Sequence, residues 1–271
     1  MTPLETGSPA ANSPQADILA IAAHRDDVEQ TCGGTLLKMA QRGRRTAILD
    51  LTRGEMGTRG AAADRRREAA AAARILCLTW RGALDLPDGR LENTLPNRLR
   101  IAAVVRALKP RVVILPYWQG RHPDHYTAST LGYEACFLAG LAKLDLTPVP
   151  ADNLESTYAS AGESQFPTQF APHRPHKILY ATLYYDVRPT FVVDITEQFE
   201  ARFQSLMAYK TQYANQEAGS DLFVPEQEIR TRLETMARFY GLLAGVEYAE
   251  PFLQKEVGLV EDVTAIPVTS M

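Results

Sequence analysis

Apolar positions along this chain fall alternately into short unbroken runs and longer interrupted stretches. Residues 17–23 (DILAIAA), 45–51 (RTAILDL) and 111–117 (RVVILPY) are nearly continuous apolar runs, the pattern of strands buried on both faces of a parallel sheet. Between them, 35–42, 61–76 and 97–108 carry apolar residues at helical spacing. Gly43 stands at one helix end, and Lys109-Pro110 closes another. A loop at 118–123 leads into a helical stretch through Leu141. This β-α-β-α rhythm predicts a doubly wound α/β sheet with helices on both faces. In such sheets, sites lie beyond the carboxyl ends of the strands.

The rhythm breaks at 146–174, which is rich in Pro, Ser and Ala and reads as an exposed, lid-like insertion. Strands are predicted again at 177–185 and 190–195, and helices at 197–213 and 226–244. Residues 1–16 read as a flexible leader, 17–252 as one domain and 253–271 as a C-terminal tail. The leader lacks the basic start and apolar run of a signal peptide, and no stretch is apolar enough to span a membrane. Cys32, Cys77 and Cys136 are odd in number and lack CxxC spacing, which argues against both a disulfide framework and a thiolate metal site. A cytoplasmic setting is expected. A net charge of −3 without a long basic block speaks against a nucleic-acid partner. Arg65, Arg66 and Arg67 read as a solvated helix face. Gly54, Gly57 and Gly60 match no nucleotide fingerprint and read as a closely packed turn, and His173 and His176 read as surface histidines.

Two clusters carry chemistry. His24-Arg25-Asp26-Asp27 follows the first predicted strand, and Arg121-His122-Pro123-Asp124-His125 follows the strand ending near Tyr117. Each alone is a weak signal, because strands often end in polar turns. Together they place imidazoles and carboxylates at one edge of the sheet. A hydrolytic zinc takes three protein ligands of these types and leaves one position for water, whose pKa it lowers to about 7. A further carboxylate must accept a proton, and an opposing group must stabilise the oxyanion or protonate the leaving amine.

The motifs AHRDDVE, DLTRGEMGTRG, LPDGRLENT and RHPDH, in this order, resemble those of the LmbE-like (PIG-L) zinc-dependent N-acetylglucosaminyl deacetylases, most nearly the bacillithiol-biosynthesis deacetylases acting on N-acetylglucosaminyl malate. The resemblance runs from about Asp17 to about Phe252. It implies a Rossmann-like fold with a mostly parallel sheet, and one zinc ion, or another first-row divalent ion, held by His24, Asp27 and His125. It also implies Asp26 as general base, His122 as general acid or oxyanion stabiliser, and Asp124 as the residue orienting or charging His122. Arg53 would reach the malate carboxylate with its donor fork, and Glu55 would line the pocket. Many members have Pro where this chain has Arg25, a cation that bears on anion binding and on the pKa of Asp26. The tyrosine that some relatives bring to the oxyanion from before the last helix has no assigned counterpart. A small amino-sugar substrate and a homo-oligomer are implied as partners. Two alternatives stand beside this reading: hydrolysis of another N-acetylglucosamine or thiol conjugate, and a non-catalytic α/β module binding sugars or nucleotides, which needs neither adjacent Asp residues nor His125.

Overall fold

The computed structural model describes residues 15–146, 154–160, 171–182, 186–213 and 225–265. Within these, the chain order is β1 (Ile18–Ala22), α1 (Asp27–Thr31), α2 (Gly33–Gln41), β2 (Thr46–Asp50), α3 (Ala62–Ile75), β3 (Trp80–Ala83), α4 (Leu95–Leu108), β4 (Val112–Pro116), α5 (Pro123–Ala139), β5 (Glu155–Ala159), β6 (Lys177–Ala181), β7 (Phe191–Asp194), α6 (Phe199–Met207), α7 (Lys210–Tyr213), α8 (Glu226–Leu242) and β8 (Ala249–Leu253). The strands form one eight-stranded sheet in the order β5-β3-β2-β1-β4-β6-β8-β7. The run from β3 to β6 is parallel. The sheet as a whole is mixed, because β5 pairs antiparallel with β3 and β8 pairs antiparallel with β6 and β7.

Side chains alternate across each strand, so β1 serves two cores at once. Leu19 and Ile21 join a cluster with Ile101, Leu108 and Leu131 of α4 and α5, while Ala20 and Ala22 join another with Val28, Leu36 and Leu76 on the side of α1, α2 and α3. Helices therefore cover both faces, and the central strands are apolar throughout for that reason. The order of connection reverses between β1 and β4, which opens a crevice at their carboxyl ends.

The insertion expected at 146–174 is in part sheet: 155–159 form the edge strand β5, paired with β3. Residues 147–153 and 161–170 of that stretch lie outside the described residues, as do leader residues 1–14, 183–185 at the end of the β6 prediction, and tail residues 266–271. The leader boundary also moves, since Ala16 is buried and its N–H bonds to the Leu108 carbonyl. Arg65 corrects the solvated-face reading of its cluster: it is buried.

Three strands missed by pattern, β3, β5 and β8, each carry a charge. Arg81 in β3 is fully buried, its guanidinium bidentate to Asp50 of β2 at 2.8 and 2.9 Å and bonded to Glu29 of α1 at 2.5 Å. Glu250 in β8 accepts the amides of Gly34 and Thr35 at 2.9 and 2.7 Å and faces Arg202 at 3.1 Å. It thus caps α2, whose first amides have no partner within the helix. Glu250→Ala strands two amides and a buried guanidinium, so urea unfolding should show a loss of roughly 3 kcal/mol. A loss within the ±0.5 kcal/mol of an ordinary surface change would contradict this account of the cap.

Candidate metal centre

Four loops at the carboxyl edge build the site, following β1, β2, β3 and β4 in turn. The first turns abruptly into α1: Asp26 has φ 105°, a left-handed conformation uncommon for a residue with a Cβ. That turn sends its two neighbouring carboxylates to different partners. The Asp27 carboxylate accepts the His24 amide at 2.9 Å and lies 3.5 Å from His24 Nδ1 and 3.2 Å from His125 Nε2. His24 Nδ1 and His125 Nε2 are 3.3 Å apart, although the residues are separated by 101 positions. Donors about 2.0–2.1 Å from a tetrahedral zinc lie about 3.3 Å from one another. His24, Asp27 and His125 therefore suit a single divalent ion in both chemistry and spacing.

His122 also brings a ring nitrogen within 4.8 Å of those of His24 and His125. It is exposed, however, and its Nδ1 accepts the Asp124 amide at 3.2 Å. Asp27, buried between two imidazoles, is the donor that needs a cation. The far nitrogen of His24 meets two more carboxylates, Asp124 Oδ2 and Asp88 Oδ1, each at 3.2 Å. Asp124 is fixed by the amides of Gly89 and Leu91, and Asp88 by that of Met56. Burial opposes charge on His24, yet Asp27, Asp124 and Asp88 overcome it and push the imidazolium up to about 12. Burial would raise Asp27, but His125 and His24 hold it well below the usual carboxylate range. A site with this surplus of negative charge holds a cation, whether protons or a metal.

The expected link from Asp124 to His122 runs through the Asp124 backbone N–H, and the carboxylate itself turns to His24. Asp26 faces Arg65 Nη2 at 3.3 Å and accepts the Tyr213 hydroxyl at 2.5 Å. Burial raises Asp26 to about 6, against the pull of Arg65 and Tyr213. His122 is lowered by burial and by the neighbouring His24 and His125. Glu55 is exposed and accepts the Asp88 amide at 2.8 Å, tying the second loop to the third. Arg53 lies 3.9 Å from Glu155 of β5. Arg25 faces away from Asp26 altogether, buried against Glu155 and the Ala62 carbonyl.

Pattern reading missed Asp88, Arg65 and Tyr213. Asp88 sits inside the LPDGRLENT motif, a signal that has no place at the sheet edge until β3 is recognised. Tyr213 is held by α7, where Thr211 bonds Glu68 of α3 at 2.7 and 2.8 Å and packs on Gly60 so closely that a Cβ there would lie 2.5 Å from its hydroxyl. Beside the metal donors, a cleft between β1 and β4 encloses about 450 Å³, open solvent included, lined by Asp27, Thr31, Cys32, Tyr117, Gln119 and His125.

Fold and site define an α/β protein with a candidate His/Asp metal centre and a separate buried carboxylate, a constellation suited to hydrolysis. The family described as PIG-L, GlcNAc-PI de-N-acetylase, matches residues 19–136. Diacetylchitobiose deacetylase of Thermococcus kodakarensis is 30% identical over 244 residues, covering 86% of this chain and 80% of the relative. Among solved structures, the conserved protein TT1542 of Thermus thermophilus superposes with a TM-score of 0.75 at 36% identity, over 91% of this chain and 98% of that one. The N,N'-diacetylchitobiose deacetylase of Pyrococcus horikoshii, complexed with its inhibitor MPG, gives 0.70 at 25% identity over 88% and 83%. The chain belongs to the PIG-L family of deacetylases, hydrolytic enzymes that cleave amides.

Asp27→Ala and His125→Ala each remove one of three donors and should lose bound metal after dialysis against a weak chelator. Asp124→Asn, which weakens the hold on the far side of His24, should lower metal affinity about 10- to 100-fold. Full metal retention in both alanine variants would reject the donor set.

Proposed function

We propose that this protein removes the N-acetyl group from an N-acetylglucosamine conjugate, with a zinc or other first-row divalent ion at His24, Asp27 and His125, and that the conjugate is N-acetylglucosaminyl malate. The observation that carries the reaction is the divergence of Asp26 and Asp27. One is directed to the metal donors, and the other stays free of them with its carboxyl poised near neutrality. When bound, the ion supplies Lewis acidity toward the acetamide oxygen and the attacking water. Asp26 takes the water's proton at its carboxylate and passes it to the departing amine. Arg65 and Tyr213 hold that carboxylate in place.

His122 acts as a neutral donor. Since its Nδ1 accepts a backbone N–H, the ring proton resides on Nε2, available to the oxygen that becomes anionic in the tetrahedral intermediate. Its lowered pKa favours this role over that of a charged acid. The malate assignment rests on the side of the site toward β5, where the half-buried Arg53 and the exposed Arg66 bring two cations together. The relatives named for diacetylchitobiose support a neutral disaccharide as the second reading. No described helix is long and apolar enough to cross a membrane; three free thiols suit a reducing cytoplasm. The doubly wound, Rossmann-like class is supported by the reversal between β1 and β4.

Asp26 works only as the carboxylate, so kcat/KM should climb as pH rises through about 6 and fall below it. Asp26→Asn should retain the metal, lose about 10²- to 10⁴-fold in turnover and lose that acidic limb. Wild-type turnover in this variant would end the assignment. Arg53→Ala should raise KM for N-acetylglucosaminyl malate while barely changing that for N-acetylglucosamine, because only the former loses a charge-assisted bond. Acetate release from both substrates measures it, and equal losses would remove malate from the proposal.

A further inference from the structure

Beyond the metal loop, on the side away from the apolar cleft, one carboxylate gathers three guanidinium groups. Glu155 Oε1 is in tight contact with Arg25 Nη2 and lies 3.7 Å from Arg66 Nε, while its Oε2 lies 3.9 Å from Arg53 Nε. Only the first of these is a hydrogen bond. Arg25 is fully buried, with its Nη1 on the Ala62 carbonyl, and a charge so placed holds its counter-ion far more firmly than exposed ones do. Arg66 bonds the Ser156 carbonyl through Nη2, and Arg53 Nε has no hydrogen-bond partner. Glu155 therefore accepts its guanidinium hydrogen bond from Arg25, and the half-buried Arg53 and the exposed Arg66 keep only long ion pairs with it.

We propose that Arg25 is a specificity-determining positioning residue: by engaging Glu155 Oε1 it limits that carboxylate to a long ion pair with Arg53, and so keeps Arg53 available to an anionic group on the substrate. Arg25 touches no substrate and acts only through Glu155. The inference rests on the reading of Arg53 given above. It makes an intramolecular carboxylate the competitor of a substrate carboxylate or phosphate, with Arg25 setting the outcome.

The experiment compares KM for N-acetylglucosaminyl malate with KM for N-acetylglucosamine, as a ratio, in metal-loaded full-length variants whose fold is checked by circular dichroism and metal content. Arg25→Met frees Glu155 to clamp Arg53 and should raise the ratio about fivefold, the scale of a partly exposed ion pair. The double variant Arg25→Met/Glu155→Gln removes the competitor and should return the ratio to within about twofold of wild type. A purely structural role for Arg25 predicts no such substrate-selective rescue. Glu155→Gln alone, which keeps an acceptor for Arg25, should lower the ratio, and it carries the test if Arg25→Met does not fold. An unchanged ratio in Glu155→Gln, or equal ratios in the Arg25→Met single and double variants, overturns the inference. If Arg53→Ala weakens both substrates equally, the malate reading fails. If Arg53→Ala is selective while these variants leave the ratio alone, only the role of Arg25 fails.

Discussion

Everything in this site depends on the Asp27 carboxylate standing between two imidazoles that the sequence separates by 101 positions. That meeting requires β1 and β4 to be neighbours, and their parallel pairing from Ile18 with Val112 to Ala20 with Ile114 provides it. Both strands are buried on both faces, so a slip in register would displace apolar side chains from two cores together. The metal donors thus inherit their precision from hydrophobic packing several residues away. Polar loops alone would not hold three donor atoms to the few tenths of an ångström that a tetrahedral ion demands.

Charge is sorted by loop with the same economy of parts. Asp27, Asp88 and Asp124 all converge on His24, and together they need a cation. Asp26, one residue from Asp27, is shielded from that role by the left-handed turn and by Arg65 and Tyr213. The same burial that would penalise an unpaired carboxylate lifts Asp26 to about 6.

Hydrophobic patterning found β1, β2 and β4 because nothing but apolar contact decides their residues. It did not find β3, β5 or β8, where Arg81, Glu155 and Glu250 interrupt the apolar signal, and their counter-charges lie on elements far away in sequence. Partnership across 31 positions for Arg81 and Asp50, or 130 for Arg25 and Glu155, leaves no local trace. The candidate site was more legible than the architecture. His24, Asp26, Asp27, His122, Asp124 and His125 fall in two short motifs, because the loops that hold them are short. Asp88 was hidden by the unread strand before it. Arg65 passed for one of three solvated arginines, and only its position under Gly54, where a Cβ would lie 3.0 Å from the guanidinium, marks it as different.

The two halves of the chain divide the work unequally. Residues 19–136, the span matched by the family, contain the candidate metal donors together with Asp26, His122, Asp88 and Asp124. What lies beyond them reaches back toward that machinery without entering the donor set. Tyr213 meets Asp26, Tyr209 bonds the Glu29 that neutralises Arg81, Glu250 caps α2, and Glu155 neutralises Arg25. Each contact is a polar group from the second half correcting a charge or an open backbone donor left by the first. A first half alone would leave Arg25 without its counter-ion and Asp26 without the hydrogen bond from Tyr213. The reactive constellation is local in sequence, but its rigidity and its electrostatic setting belong to the whole chain.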